Sequence, residues 1–458
     1  MKSRPYILGF ILLLGFVLRI WDLGGESLWY DELVTLDTLL NNSLRSIPGY
    51  VLQREGAPPL YFLLLKIWTL FRLTPYQARL FSVIWGTLSI WGIYLLGKEM
   101  GEERWGKLAG GLLAVSPYAI WYSQEARMYS LLLFLVIFSS LYFLKFLKKP
   151  GRKNLILYLL LTLAMLYTHP HALFIYSVHL LILLFKRKHP YAYWSILPLI
   201  LYLPYLRKLF SLLQDPRTSW LPPLTPSTPY FIFHHFIWGL YPGVGGFMSL
   251  AGFIVFFSLF AGGTYLLVRE RRYFLPLSFY TPFFLLLLLS LYHPMIFEGR
   301  RYLIIILPFF YLITLYPLRK SPFLLPILIL FLLFPLREIY SSIQKRPWDK
   351  AVKMIKSEAK PGDAYLILGL PSRILRVYSL DLPYLDLPSR VTADMVRRKF
   401  HRYQRIWIFS LSSSLEPLEK FLAREGRYRV LHLFRTSRGA VLKIGLYSPQ
   451  EKFTSIPR

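Results

Sequence analysis

About eleven apolar stretches, each near the ~20 residues a helix needs to cross ~30 Å of hydrocarbon, crowd the first 337 residues of this chain, and none follows. A backbone placed in lipid must satisfy its own hydrogen bonds, so such a segment is read as a string of helices. Of the 458 residues, 55% are hydrophobic and 17% aromatic, more than one soluble core hides. The expected architecture is an α-helical polytopic membrane protein. Lys and Arg number 54 against 24 Asp and Glu, a formal charge of +30. In a soluble protein that surplus points to nucleic acid; beside membrane helices it points to basic loops and anionic headgroups. Membrane lipids are therefore expected partners, and nucleic acid is not. The chain has no cysteine, which excludes disulfides, thiolate nucleophiles and Cys-ligated zinc together.

Lys2 and Arg4 precede an apolar run from Tyr6 to Val17, the outline of a signal peptide. No small-residue cleavage site follows, so the run is read as a retained first helix. Four short turns hold clustered basic residues: Lys145, Lys148, Lys149, Arg152 and Lys153; Lys186, Arg187 and Lys188; Arg269, Arg271 and Arg272; and Arg319 with Lys320. Positive-inside statistics place these in the cytoplasm, with the N-terminus. The parity requires Pro59 to Phe71, which contains Lys66 and is too short to span, to lie on the outer leaflet as a helix. The expected division is a transmembrane domain over 1–337, with a long first outer loop at 22–77, and a small C-terminal α/β domain over 338–458 placed outside the cytoplasmic membrane. In that tail, helical patterns at Trp348 to Ala359, Ser372 to Ser379 and Leu415 to Glu425 alternate with strand patterns at Ala364 to Gly369 and Arg405 to Leu411. A two-strand pattern around Ser437 and Gly439 closes it.

The outer segments hold the unusual residues. In SLWYDELVTL, Asp31 and Glu32 stand at the start of an amphipathic pattern, Leu33, Leu36, Leu40, Leu44 and Ile47, that predicts one helix. A carboxylate wedged among Trp29, Tyr30 and Leu33 suits a general base for a hydroxyl, while an Asp at this point also serves as a cap. Adjacent helical residues face differently, so one acid of the pair addresses a given atom. In SPYAIWYSQEARMYSLL, Pro117 disturbs a span, and Gln124, Glu125, Arg127 and Tyr129 follow at the turn. Such a polar cluster between apolar helices is hydrated, used, or an ordinary hairpin with Arg127 at the headgroups. His169 and His171 flank Pro170 and are metal ligands, phosphate donors or interface residues. In FEGRRYLIIILP, Glu298, Arg300, Arg301 and Tyr302 precede an apolar run. Paired arginines on the outer side suit a donor phosphate or lipid headgroups. The prolines from Pro222 to Pro229 predict an extended path, and FHHFIWGL after them is suited to covering a cleft; His234 and His235 receive no role.

In order, ESLWYDE, APPLYFLLLKIW, RLFSVIWGTLSIWGIYLLG, SPYAIWYSQEARMYSLL, YTHPHALF, SWLPP and RRYLIIILP resemble the GT-C fold membrane glycosyltransferases of family 39. These are the dolichyl-phosphate-mannose–protein mannosyltransferases and lipid A aminoarabinose transferases. The resemblance implies about 11 transmembrane helices and transfer of a sugar from a polyprenyl-phosphate-linked donor to a lipid, protein or glycan acceptor at the outer face of the cytoplasmic membrane. It also implies that Asp31 is the base, with Glu32 beside it. Arg300, Arg301, Arg127 and Tyr302 are expected near the donor phosphate, with Gln124 and Glu125 in the second outer loop and His169 and His171 as ligand or substrate contacts. Some relatives hold a metal through a D-x-D-like pair where this chain has only Glu125, so a divalent cation is a candidate cofactor whose ligands the sequence does not supply. A transporter or lipid flippase is the alternative, but it would place ionisable residues near the midplane on broken helices, often in related halves.

Overall fold

The computed structural model describes residues 5–54, 57–186, 192–213, 224–239, 246–292, 301–341, 345–368, 370–387, 393–411, 416–424, 427–436 and 440–449. The helices up to residue 341 are α1 (Pro5–Ile20), α2 (Tyr30–Asn41), α3 (Ile47–Arg54), α4 (Leu60–Trp68), α5 (Pro75–Glu99), α6 (Glu103–Val115), α7 (Pro117–Ser123), α8 (Tyr129–Lys148), α9 (Arg152–Leu166), α10 (Ala172–Phe185), α11 (Leu197–Leu213), α12 (Thr228–Trp238), α13 (Gly246–Arg269), α14 (Phe274–Tyr292), α15 (Leu307–Leu315) and α16 (Leu325–Ser341). Among the described residues α5, α8, α13 and α14 are each long and apolar enough to cross a membrane alone, as a multi-pass membrane protein requires. The short helix expected near Pro59 to Phe71 is α4. The aromatic stretch after the prolines is helical. It is helix α12, whose Phe236, Ile237 and Trp238 are fully buried, and Pro229 is tolerated because it falls in the first turn, where its missing N–H has no helical partner.

The chain divides into two compact units, residues 1–23 with 42–340, and residues 24–41 with 341–458. In the first unit the helices approach closely because glycines stand at their crossings. A methyl added at Gly97 of α5 would lie 2.6 Å from the Cα of Gly106 in α6, and one at Gly263 of α13 would strike the carbonyl of Ile313 in α15. Small residues at such crossings gain dispersion contact where lipid supplies no hydrophobic drive. All nine residues of α15 are buried, and the indole N–H of Trp105 in α6 donates to the Leu312 carbonyl at 3.0 Å.

The second unit carries strands β1 (Asp363–Ile367), β2 (Tyr384–Leu385), β3 (Arg405–Ser410), β4 (Tyr428–Arg435) and β5 (Val441–Tyr447), and helices α17 (Trp348–Glu358), α18 (Ala393–Phe400) and α19 (Pro417–Arg424). The sheet order is β2-β1-β3-β5-β4. The β2–β1–β3 pairs are parallel, with Tyr365 beside Tyr384 and Trp407, while β3–β5 and β5–β4 are antiparallel, with Ile406 beside Tyr447. Every residue of β1 and β5 is buried, the pattern of strands covered on both faces. α17 turns Trp348, Ala351, Val352 and Ile355 inward, at i, i+3, i+4 and i+7. β2 and α18 have no counterpart in the sequence reading. The stretch at Ser372–Tyr378 is a 3-10 helix rather than an α-helix, entered through Pro371 and left through Ser379 in the left-handed region at φ 55°.

Asp363 opens β1. Its carboxylate accepts a fork from Arg405, at 3.0 Å to Oδ1 and 2.7 Å to Oδ2, with the Trp407 indole N–H and the Lys360 backbone N–H each at 3.0 Å. Burial acts to raise its pKa, but these donors prevail and hold the carboxyl below its usual range. A carboxylate depressed in the folded state stabilises above its ordinary pKa, and that contribution is lost as pH falls through the lower folded value. Asp363→Asn is therefore expected to lower the melting temperature of the full-length protein at pH 7, and the deficit is expected to shrink by pH 3. Melting curves at pH 7, 5 and 3 check this; an equal deficit at all three would remove the carboxylate charge from the explanation.

Candidate functional site

The site in the membrane unit begins with a break. Pro117 has no N–H to return to the Leu113 carbonyl, so α6 ends with orphaned acceptors in a buried place. Arg19 of α1, fully buried, fills them. Nη2 donates to the Leu113 carbonyl, Nη1 to those of Ala114 and Gly15, all at 2.9 Å, and Nε to Ser123 Oγ at 3.2 Å. Pro117 then restarts the chain as α7, with Ser116 Oγ accepting from the Ala119 N–H at 3.2 Å. The Tyr311 hydroxyl bridges Ser116 Oγ at 2.8 Å and the Phe236 carbonyl at 2.9 Å. At the end of α7 the Gln124 amide donates to the carbonyls of Arg19, at 3.2 Å, and Trp21, at 2.8 Å. Gln124 thus fastens the turn to α1.

The turn that follows is tight. The Arg127 N–H donates to the Glu125 carbonyl at 2.8 Å, and Ser82 Oγ donates to the Arg127 carbonyl at 3.3 Å. Glu125 and Arg127 are both buried. Against them stand His169 and His171, in the turn between α9 and α10, and Tyr302, which opens a 3-10 turn before α15. The Tyr302 ring lies 4.9 Å from that of His169 and 4.6 Å from that of His171, across which it stacks, with Tyr129 6.3 Å from His169. The charges of Arg127 and Arg301 both bear on His169. Three separate sequence motifs, SQEAR, THPH and RRY, therefore converge at one end of the bundle. Arg300 and Glu298 lie outside the described residues.

His169 Nδ1 accepts the His171 backbone N–H at 3.2 Å, so a neutral His169 carries its proton on Nε2. Burial, reinforced by His171, Arg127 and Arg301, lowers its pKa well below the ordinary value. The ring is a neutral N–H donor at physiological pH. Two guanidinium groups, a neutral imidazole donor and tyrosines in a sheltered place make a surface for an anion such as phosphate.

The acids at the start of α2 belong to the second unit and part company there. Trp29 is the cap, its carbonyl taking the Leu33 N–H at 3.0 Å, and Glu32 reaches back to the Trp29 N–H at 3.3 Å, half of a capping box. Fully buried, Glu32 Oε2 also pairs with Lys345 Nζ at 3.1 Å. Asp31 is partly exposed. The side-chain bond to the first N–H of this helix start comes from Glu32. The rest of the loop is held from the tail as well: the Tyr378 hydroxyl meets Ser27 Oγ at 2.8 Å and takes the Leu28 N–H at 2.7 Å, Asp349 N–H donates to Ser27 Oγ at 3.1 Å, and Arg373 pairs with Asp37 at 3.2 Å. The periodic pattern toward Ile47 does not continue as one helix. α2 stops at Asn41, whose amide turns back to the carbonyl and the carboxylate of Asp37, both at 2.8 Å, and Ile47 begins α3. Such local side-chain bonds compete with helix propagation.

Arg19, Lys345, Tyr378 and Arg373 have no place in the sequence reading. A lone arginine inside the first apolar stretch was a signal for the first; the others have none, because their partners are about 310 to 350 residues away. Among the described residues no three of His, Asp and Glu group to hold a metal ion. Lys345→Ala removes the cation from a buried carboxylate, and truncating one partner of a buried pair costs about 3 kcal/mol. Hydrogen exchange in the full-length protein is expected to show faster exchange across α2, largely restored in Glu32→Gln/Lys345→Met. Unchanged α2 protection in Lys345→Ala would mean the pair holds nothing.

A family model described as dolichyl-phosphate-mannose-protein mannosyltransferase matches residues 56–207, about a third of the chain, which includes SQEAR and THPH. Among curated proteins no sequence matches. Solved structures do. ArnT from Cupriavidus metallidurans bound to undecaprenyl phosphate superposes with a TM-score of 0.51 at 12% identity, covering 96% of this chain and 98% of that one. Its apo state gives 0.54 at 12% identity, over 95% and 97%. The Archaeoglobus fulgidus oligosaccharyltransferase AglB, with an inhibitory peptide and a dolichol-phosphate, gives 0.52 at 11% identity, over 96% and 74%. Over nearly its whole length, the chain has the GT-C fold of the membrane glycosyltransferases.

Proposed function

We propose that this protein transfers a sugar from a polyprenyl-phosphate donor to an acceptor hydroxyl, with inversion at the anomeric carbon. The observation that carries the reading is the convergence of Arg127, Arg301, His169, His171 and Tyr302 at one end of the membrane unit. Undecaprenyl phosphate in ArnT and dolichol-phosphate in AglB, proteins of the same fold, support a lipid-linked phosphate as the anion. The acceptor oxygen attacks the anomeric carbon while the bond from that carbon to the phosphate oxygen breaks. Its electron pair leaves with the lipid phosphate, where the arginines stabilise the charge. Asp31 takes the hydroxyl proton. Glu32 is unsuited to that task, being fully buried, engaged with its own helix cap and paired with Lys345. The acceptor is a lipid, protein or glycan bearing a hydroxyl. The basic turns favour an N-terminus in the cytoplasm and a tail outside it. A transporter reading is less favoured, since these ionisable groups gather at helix ends.

Three measurements test this. Transfer from purified polyprenyl-phosphate sugars is expected to fall by about 10²–10⁴ in Asp31→Asn, the usual contribution of a positioned base, with donor binding retained. Glu32→Gln, by contrast, is expected to act through stability. Activity retained in Asp31→Asn would remove it as the base. Arg301→Lys keeps the charge but loses the two-pronged contact, and donor affinity is expected to drop roughly tenfold; wild-type affinity would reduce Arg301 to a headgroup contact. Reporter fusions should show the C-terminus outside the cytoplasm, and a cytoplasmic signal there would reverse the orientation.

A further inference from the structure

Three of the four basic turns meet around a single crevice at the end of the membrane unit opposite the His-Tyr cluster. Its volume is about 920 Å³. Leu144 and Leu147 of α8, Ile182 of α10 and Leu277 of α14 line its wall, and Lys148, Lys186, Arg271 and Arg272 line its rim. Phe185 and Tyr273, also lining it, are 80% and 50% exposed, so the crevice opens on the surface that faces lipid. The acids nearby are committed: Glu99 pairs with Lys148 at 3.0 Å, and Glu270 with Arg319 at 3.0 Å and Arg272 at 3.6 Å. Lys186 and Arg271 have no ion pair among the described residues, which leaves two cations for an outside anion.

Arg271 sits where a side chain is costly. Its φ is +58°. The Arg272 N–H donates to the Leu267 carbonyl at 2.8 Å and the Arg271 N–H to that of Val268 at 3.0 Å, which makes Arg271 the left-handed residue of a Schellman cap, a position that favours glycine. The chain carries a guanidinium there instead, at the mouth of an apolar crevice. Orienting a helix by charge requires only basic residues near its end; it requires neither the left-handed conformation nor an apolar wall behind the charges.

We infer that this crevice binds one acidic phospholipid of the adjacent leaflet, its phosphate on Lys186 and Arg271 and an acyl chain along Leu144, Leu147, Ile182 and Leu277. The apolar wall leads out among lipid-facing side chains, which suits an acyl chain and not a soluble anion. The charges complement a headgroup that a zwitterionic lipid would neutralise internally.

The test reconstitutes the full-length protein in vesicles of four parts palmitoyl-oleoyl-phosphatidylcholine to one part palmitoyl-oleoyl-phosphatidylglycerol, followed by detergent extraction and native mass spectrometry of retained lipid. Wild type is expected to keep phosphatidylglycerol well above its one-in-five share. Arg271→Gly, a residue suited to the left-handed position, is expected to lower the retained ratio of phosphatidylglycerol to phosphatidylcholine about fivefold without lowering the melting temperature. Lys186→Gln is expected to lower it similarly, as one cation fewer at an anionic headgroup implies. Lys153→Gln, exposed in a basic turn outside the crevice, is expected to leave it unchanged. Retention at the bulk ratio in wild type would overturn the proposal. So would a Lys153→Gln effect as large as that of Arg271→Gly, which would trace the enrichment to surface charge at large.

Discussion

The membrane unit depends on how a helix is allowed to end inside a medium with no water. A carbonyl orphaned in an apolar surrounding costs as much as a lost hydrogen bond or more, and Pro117 creates such an orphan at Leu113. Arg19 answers it by donating to the carbonyls of Gly15, Leu113 and Ala114 and to Ser123. Close approach makes this feasible. A side chain at Gly86 would run into Ser123, and the Arg19 Nε would lie 3.2 Å from its Cβ. With the ends of α6 and α1 tied, α7 leaves at a new angle, and the turn carrying Glu125 and Arg127 follows from it. The polar cluster stands on this junction, since Gln124 is anchored to the carbonyls of Arg19 and Trp21.

A different economy governs the second unit. There the polar groups of the Gly24–Asn41 segment are matched one by one to groups in the tail: Ser27 to Tyr378 and Asp349, Glu32 to Lys345, Asp37 to Arg373. Burial raises the Asp37 pKa even with Arg373 beside it. The pairing also separates two adjacent acids, because one is enclosed and paired with a lysine and the other is partly exposed.

Much of the architecture was legible because it rests on hydropathy and on punctuation. Apolar stretches of the right length became helices, α4 appeared where a short apolar run met Lys66, and the tail's alternation announced strands β1, β3, β4 and β5. β2 was missed because two residues leave no period, and α18 because its charged face masks Val396 and Phe400. At the site, SQEAR, THPH and RRY were visible as separate oddities, but their meeting depends on the packing of α8, α9, α10 and the turn at Tyr302–Ile305, which no spacing encodes. The single helix drawn from Leu33 to Ile47 failed for a local reason, since Asn41 bonds back to Asp37 and periodicity carries no record of such a turn.

The second unit is assembled from both ends of the chain, and that fixes an order in time. Glu32 and Lys345 are 313 positions apart. At a synthesis rate of ~5–20 residues per second, roughly 15 to 60 seconds separate the appearance of the acid from that of the lysine that neutralises it. Through that interval the acids of α2 lack the cations that the tail supplies. The loop that bears Asp31 thus acquires its contacts only after residues 345–378 have been made, so a product truncated before them would keep the membrane helices and still lack an ordered acidic loop.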